Sequence, residues 1–229
     1  MNYPEAPGMA LPFERCSNFR ELGGYRGAGG RRVRHGLFFR GPALAELTSA
    51  RDIALYRKLK IKTIFDLRSS EDRKAYPDPL MEGVETIVGV SVPRSVSGQW
   101  MAVGDSAGGG EAAYRQIVLA AARGKLPMLI HGVTGRGPTG LACILLLKML
   151  GVSDEDAVRD YLLSNRYCVP RGGLPADPER QAKVETAENF LRSIRARYSS
   201  FEIFLDRACG IGAEELRCVR ETCLEQRSV

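Results

Sequence analysis

The ten residues His131-Gly132-Val133-Thr134-Gly135-Arg136-Gly137-Pro138-Thr139-Gly140 place a glycine-rich turn between two apolar runs. Residues 126–130 before it read as a short buried strand, and residues 141–150 after it as a buried helix. A turn of this kind is a ready anion site, because unpaired backbone N–H groups and the positive end of the helix dipole converge on it. Glycine lets the backbone close tightly around a ligand. Gly135, Arg136 and Gly137 offer N–H groups, Arg136 adds a positive charge, and Thr134 and Thr139 carry hydroxyls. Pro138 has no N–H, yet its fixed φ suits the first turn of a helix. The residues therefore imply weak anion binding. No base that would activate either threonine as a nucleophile is evident.

The rest of the chain supplies elements to hold such a turn. Residues 18–41 are rich in glycine with short apolar pieces and read as turns and small strands. Thr48 is expected to cap a helix running to Leu59, with Ile53, Leu55, Tyr56 and Leu59 on its apolar face. Residues 62–67 read as a central strand, Ser69 with Asp72 as a helix-capping pair, and residues 84–92 as a β-branched strand. Residues 93–110 carry many glycines and the single tryptophan, Trp100, and read either as a lid over the site or as a plain surface loop. Residues 111–122 form a helix leading into the strand before the turn. Beyond the turn, Ser153 caps a helix to about Asn165, and residues 171–178 break the pattern. Helices are expected over 179–198, from Ser199 or Ser200 to Gly210 or Gly212, and from Ala213 to about Arg227. Strands separated by helices predict an α/β fold with a mainly parallel central sheet flanked by helices. With no internal repeat and no linker, the expected organisation is an N-terminal arm over 1–12 and a single domain over 13–229.

Composition narrows the function classes. A chain of 229 residues with 44% hydrophobic content is long enough for one sizeable core. No apolar run reaches membrane-spanning length, and residues 1–12 lack the basic and apolar regions of a signal peptide, so a cytoplasmic location is expected. The net charge of +6 favours anionic partners in general, but the basic residues are scattered and no nucleic-acid motif accompanies them. The six cysteines show no CxxC spacing, and the only histidines are His35 and His131, so no metal site or other cofactor is expected. Free thiols fit a reducing compartment. Cys143 falls within the apolar helix and reads as an inert core residue.

The turn resembles the phosphate loop of cysteine-dependent tyrosine phosphatases, in particular the bacterial and fungal tyrosine phosphatase-like branch, whose loop reads His-Cys-x-x-Gly-Lys-Asp-Arg-Thr-Gly. His131, Gly135, Thr139 and Gly140 agree, and Arg136 replaces the lysine. Other segments match in order. They are Asn18-Phe19-Arg20-Glu21-Leu22-Gly23-Gly24-Tyr25, Leu37-Phe38-Phe39-Arg40-Gly41, and Thr63-Ile64-Phe65-Asp66-Leu67-Arg68-Ser69 with Glu71, Arg73, Pro77, Asp78 and Pro79. Downstream, residues 161–167, and Ser200-Phe201-Glu202 with Leu205, continue the match, so the resemblance spans roughly 13–226.

Three departures decide what the resemblance implies. Gly132 stands where the family has its cysteine nucleophile, Gly137 where this branch has its acid, and Pro138 where it has the phosphate-gripping arginine. A glycine cannot attack phosphorus or protonate a leaving oxygen, and proline neither grips phosphate nor donates an N–H. No catalytic position is intact. In the family His131 would order the loop, and structural support is its expected role without a thiolate. Thr139 would support the loop. Asp66 and Arg68, at the end of a parallel strand, either line the same pocket or form a local ion pair. The expectation is a tyrosine phosphatase-like pseudophosphatase retaining a weak phosphate-binding loop, with a phosphorylated protein or phosphoinositide as ligand. The alternative is an altered form of an active phosphatase for phosphotyrosine, phosphoserine/threonine or phosphoinositide monoesters.

Overall fold

The computed structural model describes residue 3 and residues 6–88, 109–168 and 181–226, with backbone alone for residues 109–113. Of the lid or surface loop expected over 93–110, only 109 and 110 are described, and they are helical; the end of the strand expected over 84–92 and the break over 171–178 lie outside the described residues.

Five strands form one sheet in the order β1-β2-β5-β3-β4. These are β1 (Arg20–Glu21), β2 (Phe38–Gly41), β3 (Thr63–Asp66), β4 (Glu85–Val88) and β5 (Met128–His131). Only β1 runs antiparallel, against β2, and the remaining pairings are parallel. The alternation of side chains along a strand divides the core in two. Phe38, Phe65, Met128 and Ile130 pack into one apolar cluster, and Phe39, Ile64 and Leu129 into the other. Helix α1 (Ala50–Leu59) covers the second face. Helices α3 (Gly109–Ala122), α4 (Gly137–Met149), α7 (Val184–Tyr198), α8 (Phe201–Arg207) and α9 (Ala213–Cys223) cover the first, together with α5 (Asp154–Leu162). The short helices α2 (Ser70–Ala75) and α6 (Ser164–Tyr167) lie outside this packing. The fold is thus α/β with a mostly parallel sheet flanked by helices, as expected from the strand and helix pattern.

The helix starts follow side-chain chemistry. Ser69 Oγ accepts from the Asp72 N–H, Ser153 Oγ from Asp156, and Ser200 Oγ from Ile203. Ser49 rather than Thr48 caps α1, accepting from the Asp52 N–H at 3.0 Å. Both residues can cap, and the register that buries Tyr56 and Leu59 selects the second. The helix expected from 179 begins only at Val184, and the terminal helix ends at Cys223. Near the N-terminus, Ala10 bridges Arg20, the Leu11 N–H donates to Phe19 O, and Leu11 is buried. That end of the expected loose arm extends the sheet edge.

Helix α4 is apolar on every side and almost wholly buried, as a helix at the centre of a core must be. It begins four residues before the apolar run, so Gly137, Pro138, Thr139 and Gly140 are helical. Strand β5 lies between β2 and β3, with His131 in register with Gly41 on one side and Asp66 on the other. The glycine-rich turn therefore leaves the centre of the sheet at its C-terminal edge, where crevices form in sheets of this kind. No helix among the described residues is long and apolar enough to cross a membrane.

Candidate functional site

The turn from β5 into α4 is tight because two of its glycines have no room for anything larger. Gly135 has φ +65°, and a β-carbon there would stand 2.5 Å from Gly41 O. Gly140 has Tyr161 Cδ2 2.5 Å from the same point. Gly132 differs. Its backbone lies outside the left-handed region, and a β-carbon there would meet, among the described residues, only Thr139 Oγ1 at 3.0 Å. A β-carbon there needs only the Thr139 hydroxyl to give by a few tenths of an ångström, with no backbone atom in the way.

The carbonyl side of the turn is held from behind. Asn18 Nδ2 donates to Thr134 O at 3.0 Å and to Gly135 O at 3.1 Å. Arg40 Nη2 donates to Gly135 O at 2.8 Å and to Ser164 Oγ at 3.0 Å. Carbonyl and N–H point in opposite directions across a trans peptide, so fixing the carbonyls outward turns the N–H groups inward. The first helical N–H groups have no acceptor within the helix and add to the same concavity. Pro138 subtracts one donor while fitting the first turn, as expected.

Behind the turn, two guanidinium groups share one carboxylate. Arg20 Nη1 lies 2.6 Å from Asp160 Oδ1, and Arg40 Nη1 pairs with Asp160 Oδ2. Arg20 also donates to Asn18 Oδ1 at 3.1 Å, and Tyr25 donates to Asp160 Oδ1 at 3.2 Å. All three charged side chains are buried. Burial would raise the Asp160 carboxyl, but Arg20 and Arg40 outweigh it and hold the group below its ordinary value. Two cations against one anion leave a net positive charge beneath the loop, which favours an anion above it. Sequence reasoning gave Asn18, Arg20, Arg40, Asp160 and Ser164 no role. All but Asp160 stood in the matching segments, which was the available signal.

Asp66 and Arg68 form an ion pair. Arg68 donates to Asp66 Oδ1 and Oδ2 at 2.9 and 2.8 Å, to Asp78 Oδ2 at 2.6 Å and to Tyr76 O at 2.7 Å. His131, wholly buried, places Nε2 3.3 Å from Asp78 Oδ2 and 3.8 Å from Asp66 Oδ1. Burial holds the imidazole below its ordinary value, outweighing the opposing pull of Asp66 and Asp78. The ligand atoms of Asp66, Asp78 and His131 lie within 4.8 Å of one another, a spacing that a metal ion could use. The cation in contact with both carboxylates is Arg68, so the group ties the end of β3 to the segment that follows α2, with the buried His131 beside it.

Two cysteines bear on the chemistry. Cys143 is wholly buried within α4, and burial pushes its thiol up to about 12. Cys168 Sγ lies 3.9 Å from Thr134 O, on the carbonyl side of the loop and opposite the converging N–H groups.

The model of the tyrosine phosphatase family matches residues 11–225. A protein of Cupriavidus necator that carries a tyrosine-protein phosphatase name is 31% identical over 254 residues, covering 93% of this chain and 92% of its own. Among solved structures, a TpbA variant from P. aeruginosa in complex with phosphotyrosine is 16% identical, with a TM-score of 0.38 over 84% of this chain and 88% of its own. TpbA itself is 15% identical, with a TM-score of 0.38 over 86% and 97%.

Proposed function

The chain belongs to the tyrosine phosphatase family, and from that membership we propose that it is a pseudophosphatase, a phosphatase fold that binds phosphate-type anions without hydrolysing their esters. The observation that carries this reading is Gly132. It occupies the start of the loop, immediately after His131 at the end of β5, and offers no nucleophile where an in-line attack on phosphorus would begin. Neither cysteine near the loop replaces it. Cys143 is sealed in the core with a raised thiol, and Cys168 faces a carbonyl oxygen.

The binding half of the machinery persists. The loop is braced by Asn18 and Arg40, the buried charge beneath it is positive, and the N-terminus of α4 points into it. Pro138 removes the strongest grip, since each lost charge-assisted hydrogen bond is worth about 1.5–3 kcal/mol. The affinity is accordingly weak, and the ligand is a phosphorylated protein or a phosphoinositide. Free cysteines throughout fit a reducing, cytoplasmic setting.

The test is phosphate release from an aryl phosphate and a phosphoinositide panel, comparing the protein as it stands with a variant carrying Gly132→Cys, Gly137→Asp and Pro138→Arg together. Turnover by the restored variant alone is expected. Turnover by the unaltered protein that survives repurification would overturn the reading and require another nucleophile.

A further inference from the structure

Thr139 is fully buried, and its hydroxyl has no hydrogen-bond partner among the described residues. A buried hydroxyl without a partner is costly, and its position indicates what would satisfy it. It faces the space above Gly132, 3.0 Å from where a β-carbon would stand. That space lies inside the turn, at the N-terminal end of a thirteen-residue helix and above the buried charge of Arg20 and Arg40. A hydroxyl donor, a helix N-terminus and a position bare of any side chain therefore meet at one point.

We propose that this point is an oxygen site: a tetrahedral phosphate-type oxyanion seats one oxygen in the volume left by the missing side chain at Gly132, where it accepts from Thr139 Oγ1. The proposal rests on the loop binding phosphate and specifies how. A loop with a side chain at position 132 keeps the anion above that side chain. Without one, the anion sinks until an oxygen reaches the Thr139 hydroxyl. The loop N–H groups then surround the phosphorus-bearing end, and any ester group points out toward solvent. The same chemistry is offered by free inorganic phosphate and by the phosphate of a monoester, because only the inward oxygens are recognised.

Isothermal titration with inorganic phosphate and with phenyl phosphate tests this on the unaltered protein and on Gly132→Ala, Thr139→Val and Thr139→Ser. Gly132→Ala puts a methyl into the oxygen site without backbone strain, and Thr139→Val removes the donor at nearly constant volume. Each is expected to weaken phosphate binding by about tenfold or more, the loss of one hydrogen bond to a charged group, while Thr139→Ser retains it. Comparable affinity for the two ligands identifies the phosphate alone as the recognised group. Binding of phenyl phosphate with none of inorganic phosphate would overturn the mode, since the ester would then be part of the recognition. If the unaltered protein binds and Gly132→Ala binds within about twofold, the anion sits above the loop and the oxygen site is wrong, while phosphate binding stands. If the unaltered protein binds neither ligand, both the proposed function and this site fall. Should Thr139→Val fail to fold, Gly132→Ala carries the decision alone.

Discussion

The Thr139 hydroxyl stands 3.0 Å from the point where a β-carbon on Gly132 would project, and among the described residues nothing else outside the adjoining chain comes within 4 Å of it. Two residues seven apart in sequence thus frame an opening in an otherwise close-packed turn. Two other glycines of the turn frame none. Gly135 and Gly140 are pressed against Gly41 and Tyr161.

This contrast predicts opposite responses to the same substitution. Gly132→Ala is expected to cost no more than about 1 kcal/mol, since it meets one hydroxyl at 3.0 Å and no unfavourable backbone angle. Gly135→Ala combines a left-handed φ, costing about 1–2 kcal/mol, with a β-carbon driven into a carbonyl oxygen. Chemical denaturation should separate the two variants clearly. Equal midpoints would mean that the turn is not held as described.

Asp160 should be among the most sensitive positions in the chain. Asp160→Asn leaves Arg20 and Arg40 buried side by side without a counter-charge, at a cost of about 3–5 kcal/mol. Because Arg40 holds Gly135 O and Arg20 holds Asn18, the loop should loosen with it. Amide exchange on residues 132–137 is the local readout, and unchanged protection there would disconnect the buried pair from the loop.

Stability should fall in two stages as pH is lowered. The His131 imidazole is held below its ordinary value of 6.5, so the unfolded chain takes up that proton first. Its contribution is complete above about 6.5 and declines as pH falls further. Asp66 and Asp160 are also held below their ordinary value of 3.8, and their contribution is lost only below that value. Melting temperature against pH should show the first decline in the unaltered protein and a weaker one in His131→Gln. Identical profiles would mean that His131 does not contribute to the first decline.

Thiol labelling provides a chemical check on the core. Cys16, Cys143, Cys209 and Cys223 are buried, whereas Cys218 is exposed and Cys168 half-buried. Burial also pushes Cys143 up to about 12 and Cys223 up to about 11, which suppresses their thiolates. Two of the six thiols should therefore react quickly in the folded protein and all six after denaturation. Fast reaction of a third would show that α4 or its neighbours open readily.

What could be read from the sequence was what neighbouring residues settle between themselves. Ser69 and Ser153 cap helices because their hydroxyls reach an N–H three residues on. The strand, turn and helix around residues 131–140 follow from an apolar run, a glycine cluster and a second apolar run, and the loss of side-chain chemistry at Gly132 is visible in its identity. The extent of α4 was less legible, since glycine and proline argue against a helix until burial between neighbouring elements overrides them. Only the tertiary structure decided what stands behind the loop. Arg20 reaches Asp160 across 140 positions and Arg40 reaches Gly135 across 95. No local pattern specifies such pairs, because their energy arises when folding removes both polar partners from water and leaves each to satisfy the other. The same holds for Thr139 and Gly132. The sequence shows a threonine and a glycine, and folding alone points the hydroxyl into the opening.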